Sequence, residues 1–279
     1  MDQNIIEPSD FHALLQHIDN EFPETHRKRK ASNADVLFYA LRVLKYGIPW
    51  SEIKKTFQVD YSHIAIYKRF QNWTRRGVFY TAWCNAVCRY ASEKYRNDLK
   101  AFSAVFVDCS RLKYFEVTEF SGPNSIDRGR SGTKISAICD DNRVPLGLCV
   151  SPANIPDSAL LHPTIDRIPF DIQPDKRRPT HFVADKGYAA YTTSEELLKK
   201  NRRFFLIVER KKNMKRPINK KCETPAAFRM LSQRHLIENM FGIMKKDKRI
   251  RTRDDKTIAP LSFIFVSVCP SAFHEMRSV

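Results

Sequence analysis

Apolar positions recur at helical spacing through the first hundred residues. ADVLFYALRVLKY (34–46) carries hydrophobic side chains on one helical face, and Gly47 and Pro49 end that helix. Residues 50–57 predict a short second helix. QVDYS is a turn, and Ser62 is a suitable N-cap for a third helix, HIAIYKRFQNWTRRG (63–77). Ile66, Phe70 and Trp73 fall near one face of it, leaving Lys68, Arg69, Arg75 and Arg76 available to phosphates. VFYTAWCNAVCRYASEKYR predicts a fourth helix. A short helix, a tight turn and a basic helix resemble a helix-turn-helix. An ordinary helical bundle shows the same spacing.

The period changes near residue 101. AVFVD is a short apolar run of β type, and KISAICDDNRVPLGLCV (134–150) is two such runs around a polar turn, the signal of a hairpin. IPDSALLHPTIDRI predicts a helix, HFVAD (181–185) a strand, TTSEELLKKN a helix and RRFFLIVER (202–210) a buried strand. A basic linker, KKNMKRPINKKCETP (211–225), leads to a long helix around Glu238. The order β, β-hairpin, α, β, α, β, α predicts an α/β domain with a mixed sheet. The expected division is a helical part, 1–100, followed by an α/β part, 101–279.

Charge adds a partner to this picture. The chain has 279 residues and a formal net charge of +17. Residues 196–256 hold 20 Lys and Arg against 7 Asp and Glu, so most of the excess lies in under a quarter of the chain. Such self-repelling density predicts a polyanionic partner, nucleic acid first. No apolar run is long enough to span a bilayer, and MDQNIIEPSD lacks a signal-peptide pattern. The expectation is a cytoplasmic, DNA-associated protein without a membrane partner. Seven scattered cysteines read as reduced thiols. Cys84 and Cys88 share a helix face, but no second Cys or His pair completes a zinc site.

Candidate chemistry rests on acids. Asp108 ends AVFVD and Asp185 ends HFVAD. In open α/β sheets functional groups gather at the carboxyl ends of strands. Two acids side by side repel unless a cation lies between them, although Asp also starts turns without any chemical role. On a continuous helical wheel at about 100° per residue, Glu238 falls between Lys245 and Arg249 and close to Arg234. Leu236, Ile237, Met240, Phe241, Ile243 and Met244 fill the opposite arc. Glu238 is either one half of an i,i+4 ion pair with Arg234, worth a few tenths of a kcal/mol, or a third metal ligand. Glu209, at the end of RRFFLIVER, is the rival third acid. Carboxylates with phosphate oxygens and waters suit magnesium, and two such ions can activate a hydroxyl and stabilise a leaving oxygen. The set therefore points to phosphodiester cleavage or transfer.

These residues resemble the DDE transposases of bacterial insertion sequences, specifically the insertion-sequence-five family within the insertion-sequence-four-like superfamily. GIPWSEIKKTF and YKRFQNWTRRGVF resemble that family's N-terminal DNA-binding segment, VDCSRLK carries the first Asp, and ADKGY the second. GRSGTKISAICDDNRVPLGLCVSPANIPDS resembles its long hairpin segment, and RHLIENMFGIMKK its Arg-x3-Glu-x6-Lys pattern. The acids are 185 − 108 = 77 and 238 − 185 = 53 residues apart. The resemblance implies an all-α, helix-turn-helix-like DNA-binding domain over 1–100 and an RNase H-like catalytic domain over 101–279. It implies metal-dependent DNA cleavage and strand transfer at the ends of a mobile element, with two Mg2+ ions (or Mn2+) and no covalent protein–DNA intermediate. Asp108, Asp185 and Glu238 would bind metal. Arg234 and Lys245 would contact phosphates, and Tyr188 would line the DNA path; Arg249, beside Glu238 on the wheel, is a further expected DNA contact. A homodimer on double-stranded DNA, holding the terminal repeats and the target, is also implied. The alternative is a catalytically silent DNA-binding protein derived from a transposase. The chain departs from the family pattern at Leu231, where Tyr is frequent, at Arg111 and Pro156, where His is usual, and in the tail CPSAFHEMRSV.

Overall fold

The computed structural model describes residues 8–23, 30–98, 100–113, 121–123, 129–174 and 176–251. These residues fall into two compact units. One holds those up to Ala86 together with those from Met244 on, and the other runs from Val87 to Ile243. The tail CPSAFHEMRSV lies outside the described residues.

The first unit is helical. It contains α1 (Pro8–Glu21), α2 (Asn33–Tyr46), α3 (Ile53–Phe57), α4 (His63–Arg75) and the start of α5 (Val78–Asn97). Local chemistry sets the ends of α2. The Ser32 hydroxyl accepts from the Asp35 amide at 3.0 Å and the Asp35 carboxylate accepts from the Ser32 amide at 2.8 Å, a reciprocal cap. Gly47 closes the helix at φ 66°, the left-handed conformation glycine adopts without strain. Ile18, Val36, Val43, Ile53, Ile66, Phe70, Trp73 and Trp83 are all buried and form the core of this unit. Trp50 lies 5.2 Å, centroid to centroid, from both Tyr67 and Phe70, joining the α2–α3 segment to α4.

The second unit is built on a mixed sheet: β1 (Ala104–Lys113), β2 (Gly122–Pro123), β3 (Ser131–Cys139), β4 (Pro145–Pro152), β5 (Thr180–Ala184) and β6 (Phe204–Ile207). β3 pairs antiparallel with β1, β4 and the short β2. β5 pairs parallel with β1 and with β6. The strand order is β4-β3-β1-β5-β6, with β2 beside β3. α6 (Leu161–Ile165) packs on β3 and β4, α7 (Tyr191–Lys200) on β6, and α8 (Pro225–Ser232) on β5 and β6. Gly147 permits the close approach of α6, since a Cβ there would sit 2.6 Å from the Thr164 carbonyl oxygen.

The β3–β4 hairpin turns at Asp140 and Asp141, as expected. Asp140 accepts from the Asn142 and Val144 amides at 3.1 and 2.9 Å, which shapes the turn. Its other oxygen accepts from Lys94 at 2.7 Å and from the Tyr90 hydroxyl, so the second half of α5 clamps the hairpin. Burial pushes the Asp140 carboxyl up, and the Lys94 ammonium opposes that.

Two expectations about elements change. β1 does not stop at Asp108 but continues to Lys113, because residues 108–113 stay paired with β3. The long helix around Glu238 is three helices: α8, α9 (His235–Met244) and α10 (Lys248–Arg251). Asp247 interrupts it, buried and ion-paired to Lys45 at 3.1 Å, and its carbonyl accepts the amides that begin α10. That pairing, and the packing of α10 on α2, override local helical periodicity.

The linker 211–225 is anchored at its C-terminal end. Asn219 and Cys222 both donate to the Leu206 carbonyl at the end of β6. The six described cysteines are all free, and Cys88 donates to the Pro169 carbonyl at 3.1 Å. No helix of the described residues is long and apolar enough to cross a membrane.

Candidate active site

Asp108 and Asp185 are brought together by strand register. The parallel β1–β5 ladder ends at Val107 opposite Ala184, so the next residue on each strand is an acid. Beyond that point β1 stays with β3, Asp108 opposite Ala137, while the chain after β5 turns into a single 3-10 turn, Lys186–Tyr188. Both carboxylates are held by neighbouring amides. Asp108 Oδ1 accepts from Cys109 N at 2.8 Å, and Asp185 Oδ1 from Lys186 N at 2.6 Å. Burial raises the Asp108 carboxyl above its ordinary value. The Cys109 amide and Arg234 pull it down, while Asp157 and Asp185 push it further up.

Tyr188 anchors this turn. It was expected to line the DNA path, but its side chain is buried, with its hydroxyl 3.1 Å from Cys109 Sγ on β1. The hydroxyl contact ties the turn after β5 to β1. Burial pushes the Cys109 thiol up to about 12, so it stays protonated and unreactive at neutral pH.

The third acid arrives from the α8–α9 corner. α8 ends at Ser232, and Arg234 sits in the turn before α9. Its guanidinium lies among all three carboxylates: 3.9 Å from Asp108 Oδ2, 3.8 Å from Asp185 Oδ1 and 3.7 Å from Glu238 Oε1. The i,i+4 contact with Glu238 is therefore one of three. Exposure rises across the set, with side-chain values of 23% for Asp108, 46% for Asp185 and 59% for Glu238, so the cluster opens on the α9 side. The rest of α9 explains its orientation. Ile237, Met240, Phe241 and Met244 are buried, while Ile243, expected on the same arc, is 47% exposed.

Hard carboxylate oxygens from three elements suit Mg2+ or Mn2+ in donor chemistry. Among the described residues no group of three or more His, Cys, Asp or Glu side chains is drawn close enough to hold a metal ion. The cation these acids share is Arg234. Glu209, the rival third acid, lines a cleft with Asp185, Lys186, Arg210, Lys211 and Lys212, so basic side chains border the acids on that side.

The other expected phosphate contacts divide. Lys68, Arg75 and Arg76 are exposed. Arg69 is not spare: its guanidinium donates to the Ala31 carbonyl and the Asn33 side chain, tying α4 to the segment before α2. Lys245 and Arg249 lose the helical wheel that placed them beside Glu238, because α9 ends before them. Arg249 donates to the Ile48 carbonyl at 3.3 Å within the first unit.

Sequence reasoning missed Lys134 and Asp157. Lys134, on β3, is almost fully buried and donates to Asp157 Oδ1 and to the Ile155 carbonyl, both at 2.5 Å. Asp157 in turn acts electrostatically on Asp108 and Tyr188. A charged residue inside an otherwise apolar strand, KISAIC, was the available signal. Arg111 and Pro156, two of the departures from the family pattern, line one cleft with this pair.

Compared with known proteins, residues 90–259, more than half of the chain, match the family described as "Transposase DDE domain". A stretch of 75 residues is 39% identical to the putative transposase for insertion sequence element IS402 of Burkholderia cepacia, covering 24% of this chain and 34% of that protein. The match thus spans about a third of the length of this curated relative. No solved structure matches. Residues 90–259 include the whole mixed sheet and every acid gathered around Arg234, and the chain belongs to the transposase DDE domain family.

Proposed function

We propose that the protein is a transposase of the insertion-sequence-five family, catalysing DNA cleavage and strand transfer at the ends of a mobile element. The observation that carries this reading is the meeting of Asp108, Asp185 and Glu238, from two adjacent strands and one helix, around a single guanidinium. Three antiparallel strands continued by two parallel ones, with an acid at the β1–β5 divergence, support an RNase H-like catalytic domain.

In this reading Asp108, Asp185 and Glu238 would hold two Mg2+ ions, or Mn2+, once drawn closer together than they stand around Arg234. Bound there, the metal supplies a Lewis acid for phosphate and lowers the pKa of an attacking hydroxyl. The protein's own groups do the positioning. The Cys109 and Lys186 amides fix the inner acids, and Tyr188 braces the turn that carries Asp185. Arg234 neutralises phosphate beside the cleaved bond, and the basic side chains bordering Asp185 follow the strand. Water would attack the phosphodiester at the element's end and displace its 3′-oxygen, and the freed 3′-hydroxyl would then attack a target phosphodiester and displace the target strand's 3′-oxygen. α3, α4 and the exposed Lys68, Arg75 and Arg76 form a helix-turn-helix-like contact with the duplex. Two copies acting on paired ends, in the cytoplasm, complete the proposal.

The test is Mg2+- or Mn2+-dependent nicking and joining of a duplex carrying the inverted repeats that flank the gene. Wild type is expected to cleave. Asp108→Asn and Glu238→Gln are expected to lose cleavage by at least about a hundredfold while still shifting the duplex in a gel. Binding without cleavage by wild type itself establishes the alternative, a silent DNA-binding descendant.

A further inference from the structure

We propose that Arg234 is an internal counter-ion that competes with divalent cations for Asp108, Asp185 and Glu238. It pairs with the three acids before metal binds and releases them when metal arrives. This inference rests on the reading of those acids as ligands, and adds a role for Arg234 that precedes any contact with DNA.

The geometry argues for a displaceable cation. Arg234 touches all three acids, yet every contact lies between 3.7 and 3.9 Å, beyond hydrogen-bond length for N–H···O. None is the short, bidentate fork that locks Arg to a carboxylate. Its Nε is buried and has no hydrogen-bond partner among the described residues. Arg234 is therefore held by charge rather than by directed bonds. The inner acids, by contrast, are fixed by backbone amides and do not depend on it for position.

The need for a counter-ion follows from the same arrangement. Three carboxylates face one guanidinium within 3.9 Å, and like charges gathered on one side chain repel unless a cation lies among them. Arg234 is that cation in this structure. Metal supplies more charge than one guanidinium, so metal and Arg234 exclude each other at this position. A guanidinium released beside bound metal is then free for phosphate. Metal entry and phosphate capture thereby become one linked step.

The experiment measures Mn2+ binding to the full chain without DNA, by titration calorimetry and by the paramagnetic resonance signal of free Mn2+. Wild type, Arg234→Ala, Arg234→Gln, Arg234→Lys and Asp108→Asn are compared. Arg234→Ala and Arg234→Gln are expected to bind Mn2+ about tenfold more tightly than wild type, with Arg234→Lys close to wild type. In EDTA the two neutral variants should melt below wild type, and added Mn2+ should raise their melting temperature by more. If Asp108→Asn loses Mn2+ while the neutral variants bind no tighter than wild type, the counter-ion role is overturned and the ligand assignment stands. If Asp108→Asn binds Mn2+ as wild type does, the ligand assignment itself fails. Should Arg234→Ala not fold, Arg234→Gln carries the same comparison with most of the side-chain volume retained.

Discussion

Asp108 and Arg69 show how differently two residues picked from a pattern can fare. Asp108 closes an apolar run, and it faces Arg234 from the point where β1 and β5 part. Arg69 is one of several cations on α4, and its guanidinium ties two parts of the helical unit together. Spacing alone could not separate Arg69 from Lys68, because the residues that satisfy Arg69 lie more than thirty positions earlier. His181 begins the HFVAD run and lies on β5. Its Nδ1 donates to the Ser103 carbonyl at 2.9 Å, and its ring stacks on Phe205. Burial holds its pKa below the ordinary 6.5, and Lys221 adds to that. The fold thus favours neutral imidazole. The stability His181 contributes is intact above about pH 6.5 and is lost as pH falls through its lowered folded value. The stability difference between wild type and His181→Gln should therefore move in favour of the variant between pH 7 and pH 5. Thermal melts across that range check it; a difference independent of pH would contradict it.

Among elements, the C-terminal helix is the informative case. Its amphipathic pattern was legible, and α9 does bury Ile237, Met240, Phe241 and Met244. Its length was not, because Asp247 finds Lys45 and α10 packs on α2, both more than two hundred residues away in the chain. A strict wheel also put Ile237 and Ile243 on the same arc, whereas they are 0% and 47% exposed. Ile237→Ala should cost about 2–5 kcal/mol, as large-to-small core changes do. Ile243→Ala should stay within about 0.5 kcal/mol. Chemical denaturation of the two variants measures the contrast, and equal losses would show that α9 is seated differently. The β3–β4 hairpin, by comparison, was readable because its turn residues are local. What escaped notice was the buried Lys94–Asp140 pair that fastens it to α5.

For the molecule as a whole, the net charge of +17 and its concentration in residues 196–256 pointed to nucleic acid. Part of that charge borders Asp185 in a cleft with Lys186, Arg210, Lys211 and Lys212. If the exposed Lys68, Arg75 and Arg76 contact phosphate, each Ala substitution should weaken duplex binding at low salt. Each should also flatten the slope of log K against log salt by about 0.9. Arg69→Ala should leave that slope unchanged and lower the melting temperature, because its bonds are internal. Binding isotherms at several salt concentrations distinguish the two classes. The amino-acid order alone specified the mixed α/β class, the acids and the basic character, since periodicity, strand-end acids and charge are properties of short segments. Folding settled that Asp108, Asp185 and Glu238 share Arg234, that Tyr188 is packed inside, and that Lys245 and Arg249 leave the helix of Glu238. Each of those outcomes depends on partners brought from distant parts of the chain, and no local pattern encodes such a meeting.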